Sequence, residues 1–298
     1  MDHFKIGAAE VVRIEETMVH FDGREFFPDL TESVLQEHAA WLAPFFDIPG
    51  FRMPCVFQSF VIRYGTLDVL VDTCIGNHKE RPDFLLAHRL DTPYLARLHA
   101  AGLRPEDIDI VLCTHLHVDH VGWNTRLDNG RWVPTFPNAR YVFSREEYAR
   151  YAPENLVPGA PPPFFDVYQD SVLPIVESGQ ASMVSGEHAL NEIMTVVPTP
   201  GHTPGHIGLR VQHDGRSAFF LGDAIHSPIQ IAVPDLNSSF CEDQALARAS
   251  RHRLLSEAAD RGSLLVPGHF VAPHVGHVAR DGAAYRFLPA GSNRGRAE

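Results

Sequence analysis

The stretch CTHLHVDHVGW, residues 113–123, sets His115, His117, Asp119 and His120 within six positions. The chain has 18 histidines, so abundance alone makes such a window unsurprising, and spacing has to decide what it is for. The apolar run before it, DIVLC, reads as a strand, and side chains two apart on an extended segment point the same way. His115 and His117 then aim two imidazoles at one point beyond the strand. Asp119 and His120 are adjacent and face different directions, which suits a second cation close to the first. Gly122 is expected to let the backbone turn sharply just after them.

Two cations need more ligands than one cluster provides. Three distant strand ends offer them: His202 in PTPGHTPGH, Asp223 in FFLGD and His269 in LLVPGH. The C-terminal ends of strands are where α/β sheets gather their sites.

The elements that must position these groups are short apolar runs, each ending in a polar or glycine turn. Strands are expected at 56–64, 67–73, 109–115, 194–199, 206–212 and 217–223, from length, β-branched content and flanking turns. Helical periodicity runs through 92–102, opened by Thr92 and Pro93 and stopped by Gly102, through 144–152, and through 242–262, ended by Gly262. Interleaved strands and helices predict an α/β layered fold in one domain over 1–290. An aromatic N-terminal extension covers 1–54, a proline-rich loop 153–163, and a flexible tail 291–298. The segment WLAPFFDIPGFRMP, 41–54, carries Phe45, Phe46 and Phe51, and its aromatic content suggests a pocket wall or a core plug.

Composition narrows the partners. A net charge of −12 argues against nucleic acid or an anionic membrane, since both require a basic surface. The N-terminus lacks the apolar core of a secretory signal, and no apolar run approaches the roughly 20 residues of a membrane span. A cytoplasmic protein acting on a small molecule is the expectation. Cys55, Cys74, Cys113 and Cys241 are scattered without a CxxC pair, which predicts reduced thiols in packing.

HxHxDH at 115–120, His202 in GHTPGH, Asp223 in LGD and His269 in PGH together resemble the ligand set of the metallo-β-lactamase superfamily, in the same order along the chain. The resemblance spans roughly residues 56–275 and implies a four-layer αββα sandwich with a dinuclear site between the sheets. Carried over position by position, one metal takes His115, His117 and His202, the other takes Asp119, His120 and His269, and Asp223 bridges them. Two divalent ions are implied, zinc first, with iron, manganese or cobalt as alternatives. Two metals about 3.5–4 Å apart share a hydroxide, and coordination brings the pKa of that water to roughly 7. Asp119 is expected both to ligate and to orient this nucleophile. A homodimer is a further implication of the resemblance.

Among the remaining histidines, His3, His38, His88, His213 and His252 read as solvent-facing, and His206 as a hydrogen-bonding support for its turn. His226 stands apart, three residues after the bridging Asp223. Members resembling N-acyl-homoserine lactonases carry a tyrosine there, whereas those resembling methyl parathion hydrolase carry a histidine. His226 is therefore a candidate catalytic residue, and Trp123, Phe45, Phe46 and Phe51 are candidate substrate-pocket residues. The implied activity is hydrolysis of a lactone or carboxylic ester, with the N-acyl-homoserine lactone type leading. Organophosphate or aryl ester hydrolysis is the alternative, and a non-catalytic metal-binding protein is a second one. A nuclease would want a basic face, a flavodiiron relative a flavodoxin module, a glyoxalase-like enzyme a basic cluster, and a secreted β-lactamase an export signal.

Overall fold

Strands apolar on both faces belong to sheets covered on two sides. In the computed structural model, which describes residues 2–152, 155, 167–282 and 284–291, they form two seven-stranded sheets. The first runs β1 (His3–Ile6), β2 (Ala9–Asp22), β3 (Arg52–Tyr64), β4 (Leu67–Val71) and β5 (Ile110–Leu112). A separate hairpin, β6 (Thr125–Asp128) and β7 (Arg131–Pro134), intervenes before β8 (Arg140–Ser144) and β9 (Ala181–Val184) complete it. The second runs β10 (His188–Ala189), β11 (Met194–Pro198), β12 (Ile207–His213), β13 (Arg216–Gly222), β14 (Leu264–Pro267), β15 (Gly276–Asp281) and β16 (Ala284–Pro289). The helices are α1 (Gly23–Phe26), α2 (Glu32–Leu42), α3 (Tyr94–Ala100), α4 (Arg145–Tyr151), α5 (Leu173–Glu177), α6 (Ile229–Ala232) and α7 (Gln244–Arg261).

Side-chain parity assigns the layers. Phe60, Ile62, Val69 and Leu112 of the first sheet bury against Val196, Leu209, Val211 and Phe220 of the second, with the Phe60 and Phe220 rings 5.8 Å apart. The intervening Val61, Leu70 and Val111 share a second core with Tyr94 and Leu98 of α3. Phe219 and Leu265 do the same with Leu254, Leu255 and Ala258 of α7. Each layer is held by apolar area withdrawn from water, at roughly 25 cal/mol per Å². The result is the expected α/β class with an αββα arrangement.

Local chemistry explains the boundaries. The Ser144 hydroxyl accepts from the Glu147 amide to start α4, the Asp243 carboxylate accepts from Leu246 N–H to start α7, and Gly262 closes α7 with φ at +62°. Residues of the N-terminal extension supply β1 and the 14-residue β2, both strands of the first sheet. One expectation is corrected. The strand expected over 109–115 stops at Leu112, since the N–H of Thr114 is taken by the Asp72 carboxylate instead of a ladder partner. Apart from Asn155, the stretch 153–163 lies outside the described residues, as does the tail beyond 291. Among the described residues no helix is long and apolar enough to cross a membrane.

Candidate metal centre

The ligand loop that follows β5 is fixed by carboxylates. Asp72, at the end of β4, accepts from Thr114 N–H at 2.7 Å and from the Thr114 hydroxyl at 2.9 Å, and its Oδ2 lies 2.9 Å from Nδ1 of His120. On α4, Glu147 accepts from Leu116 N–H at 3.0 Å and from Gly205 N–H at 3.1 Å, both bonds buried. Burial pushes the Glu147 carboxyl up to about 7, against the opposing pull of Thr203 and these two amides. Gly122 serves a different end from the sharp turn expected of it. A Cβ there would stand 1.7 Å from the Ile75 carbonyl oxygen, so glycine is required for the loop to lie against the 74–76 segment.

These supports bring the sequence-derived residues together in two groups. His115, His117, His202 and Asp223 place one ligand atom each within 4.8 Å of the others, and so do Asp119, His120, Asp223 and His269. Asp223 belongs to both: its Oδ2 is 3.3 Å from His202 Nε2, and its Oδ1 is 2.8 Å from His269 Nε2. The backbone N–H of Asp223 donates to Nε2 of His206 at 3.0 Å, and His206 Nδ1 pairs with the Thr199 hydroxyl at 2.7 Å. His206 thereby supports the bridging position from behind. His269 and Val56 are joined reciprocally, Val56 N–H donating to the His269 carbonyl at 3.1 Å and His269 Nδ1–H to the Val56 carbonyl at 3.0 Å.

The electrostatics divide along the same line. Burial, reinforced by the neighbouring His120 and His117, holds His115 well below its ordinary value, and burial brings His117 to about 4. Burial also opposes charge on His120, yet the carboxylates of Asp223, Asp119 and Asp72 outweigh it and hold that imidazole well above its ordinary value. His269 behaves likewise, with Asp223 as the leading opposing group. Asp223 is driven well below the usual carboxylate range, because His120 and His269 overcome its burial.

The donor set fits a pair of divalent cations. The second nitrogens of His120 and His269 are committed to Asp72 and to the Val56 carbonyl, which leaves both Nε2 atoms directed at the cluster. Nε2 of His115 and of His120 is buried without a hydrogen bond, although His120 Nε2 stands 3.2 Å from Asp223 Oδ1. Buried nitrogens turned toward buried carboxylates call for a cation between them.

The cluster floors a cavity. Its walls include Phe21, Phe26, Phe57, Phe84 and Phe240, and among the described residues no lysine or arginine lines it. His226 faces this cavity, 2% exposed, its Nε2 3.2 Å from Asp223 Oδ2 and its ring edge-on to Phe26 at 5.3 Å. Asp119, with 17% of its side chain exposed, is the most open of the ligand-group carboxylates.

The candidate pocket residues fall elsewhere. Trp123 stacks on Tyr94 at 5.3 Å and donates from Nε1 to the buried Glu16 carboxylate at 2.6 Å, so its indole is turned away from the cavity. Phe45, Phe46 and Phe51 are buried in the core, where Phe46 packs on Phe51 and Phe45 on Phe287. The aromatic segment is a core plug. Phe21 near the end of β2 and Phe26 on α1, which follows it directly, supply the N-terminal wall, and nothing in their spacing marked them out. Glu16 sits at a bulge in β2, where pairing with β3 shifts between Glu15 and Thr17 and its side chain is re-aimed inward.

The family model described as the metallo-beta-lactamase superfamily matches residues 54–269. An N-acyl homoserine lactonase of Bacillus cereus is 27% identical over 117 residues, 39% of this chain, and the match spans only 37% of that relative's length. Among solved structures, a dizinc quorum-quenching lactonase, AidC, in complex with an N-acyl-L-homoserine product aligns with a TM-score of 0.75 at 19% identity, covering 96% of each chain. The hydrolase AbOPH aligns with a TM-score of 0.77 at 22% identity, again over 96% of each chain. At these identities the structural likeness is one of fold.

Proposed function

Because the chain belongs to the metallo-beta-lactamase superfamily, we propose that it is a dinuclear metal-dependent hydrolase of lactones or carboxylic esters, with N-acyl homoserine lactones as the leading substrate class. One observation carries this reading. Two ligand groups sharing Asp223 open onto a phenylalanine-walled cavity that no lysine or arginine lines among the described residues. Such a wall accepts a neutral substrate with an apolar arm and offers nothing to a phosphate or carboxylate tail. The lactonase names among the relatives agree with that chemistry.

His115, His117 and His202 would hold one ion, Asp119, His120 and His269 the other, with Asp223 between them, and zinc suits these nitrogen and oxygen donors. Bound there, the ions would supply Lewis acidity and a water activated at neutral pH. The chain's own groups supply the rest. Asp119 is held in its charged form because His120 and His269 overcome the effect of burial, so its carboxylate accepts a hydrogen bond from the attacking water and orients it. Burial holds His226 below its ordinary value, hence neutral at pH 7, and one ring N–H is available to the carbonyl or leaving-group oxygen. The phenylalanine walls exclude bulk water and hold the acyl arm.

His226 also favours a second reading, hydrolysis of an aryl ester or phosphotriester, since a histidine stands where the lactonase-like pattern has a tyrosine. Five phenylalanines would stack on an aromatic leaving group. A panel on zinc-loaded protein containing homoserine lactones of several chain lengths, aryl esters and a neutral phosphotriester decides between the two. Lactones with the highest kcat/KM are the expected result. A phosphotriester in first place overturns the leading reading, and protein purified from metal-replete cells with no bound metal overturns both.

A further inference from the structure

We propose that Glu147 is a positioning residue that locks the first ligand group, an inference that rests on the cluster binding metal. Leu116 lies between His115 and His117, and Gly205 lies three residues after His202. The two carboxylate oxygens of Glu147 divide between these backbones, Oε1 taking Leu116 N–H at 3.0 Å and Oε2 taking Gly205 N–H at 3.1 Å. One side chain therefore fixes the distance between two loops that are far apart in sequence. All three histidines of the first group lie on those loops. Among the described residues, no hydrogen bond from Glu147 reaches the loop that carries His269.

Gly205 gives an independent sign that the approach is built in. A Cβ at that position would lie 2.1 Å from Glu147 N and 2.5 Å from Glu147 Cα, so the start of α4 and the GHTPGH turn meet backbone to backbone. The second glycine of that motif is thus explained by contact with α4. The side chain of Glu147 is 1% exposed, which leaves water no route to replace its two bonds.

Glu147→Gln keeps the shape and presents an amide NH2 to one of the two N–H donors, forcing that loop away. The test is competition of zinc with a chromophoric chelator, on full-length wild-type and variant protein, together with the number of ions bound per chain. Wild type is expected to hold two, and the variant to lose affinity for one of them by tenfold or more while retaining the other. Ser144→Ala, which weakens the same helix by removing its cap, is expected to lower the melting temperature with both affinities unchanged. Equal affinities in wild type and Glu147→Gln overturn the role of Glu147 alone. A wild type that binds no metal sinks the metal reading and this inference with it. Should Glu147→Gln not fold, amide exchange in metal-free wild type decides. Leu116 and Gly205 protected like the flanking strands support the lock, and exchange as fast as exposed loops overturns it.

Discussion

Asp72 Oδ2 lies 2.9 Å from Nδ1 of His120, and the same carboxylate holds the backbone and hydroxyl of Thr114. This pairing favours a proton on Nδ1 and leaves Nε2 turned toward the cluster, where it would serve as the ligand atom. In Asp72→Asn, the amide oxygen is expected to take Thr114 N–H and the NH2 to face His120, favouring the wrong tautomer. Chelator competition should then show a loss of about 10- to 100-fold at one of two ions. Unchanged affinities would sink the tautomer argument.

His226 lies between the aromatic wall and Asp223. If its ring N–H supports the departing oxygen, His226→Phe slows poor leaving groups more than good ones. A leaving-group series on aryl esters checks this through the slope of log kcat against leaving-group pKa, and an unchanged slope argues for a role in packing alone.

Trp123 is a structural residue in this geometry. Trp123→Phe removes the donor from the buried Glu16 carboxylate and is expected to cost roughly 1–3 kcal/mol of stability in urea unfolding. KM should keep its dependence on acyl-chain length. A shift in chain-length preference would return Trp123 to the pocket.

Lys79 is fully buried, with its Nζ donating to the Thr125 hydroxyl and the Asp170 carbonyl and standing 3.6 Å above the Trp132 ring. Burial lowers it from 10.5 to about 7. Between those values the unfolded chain holds a proton that the folded chain lacks, so this group makes stability rise with pH from about 7 toward 10. Lys79→Met should flatten that rise when urea midpoints are measured across the window. A slope identical to wild type would show that Lys79 stays protonated in the fold.

Much of the centre was legible in the sequence because ligands at strand ends are local: a short apolar run, a turn and a histidine or aspartate read together. The strands were legible for the same reason, since length, β-branched content and flanking turns are properties of one strand at a time, whereas the four layers came from the family resemblance. What was not legible depends on distant packing. Phe45, Phe46 and Phe51 look the same in sequence as Phe21 and Phe26, and only the path of β2 and the α1 turn after it brings the latter pair to the cavity. Trp123 sits three positions from His120, yet a bulge at Glu16, more than a hundred residues earlier, draws its indole away. Asp72 and Glu147 act through backbone groups of other loops and leave no spacing signature.

The reciprocal bonds between Val56 and His269 join residues 213 positions apart. A nascent chain leaving the ribosome therefore presents His115, His117, His202 and Asp223 while His269 is still to be added. One half of the centre has all its members first, and the other cannot close onto β3 until translation has passed the last of them.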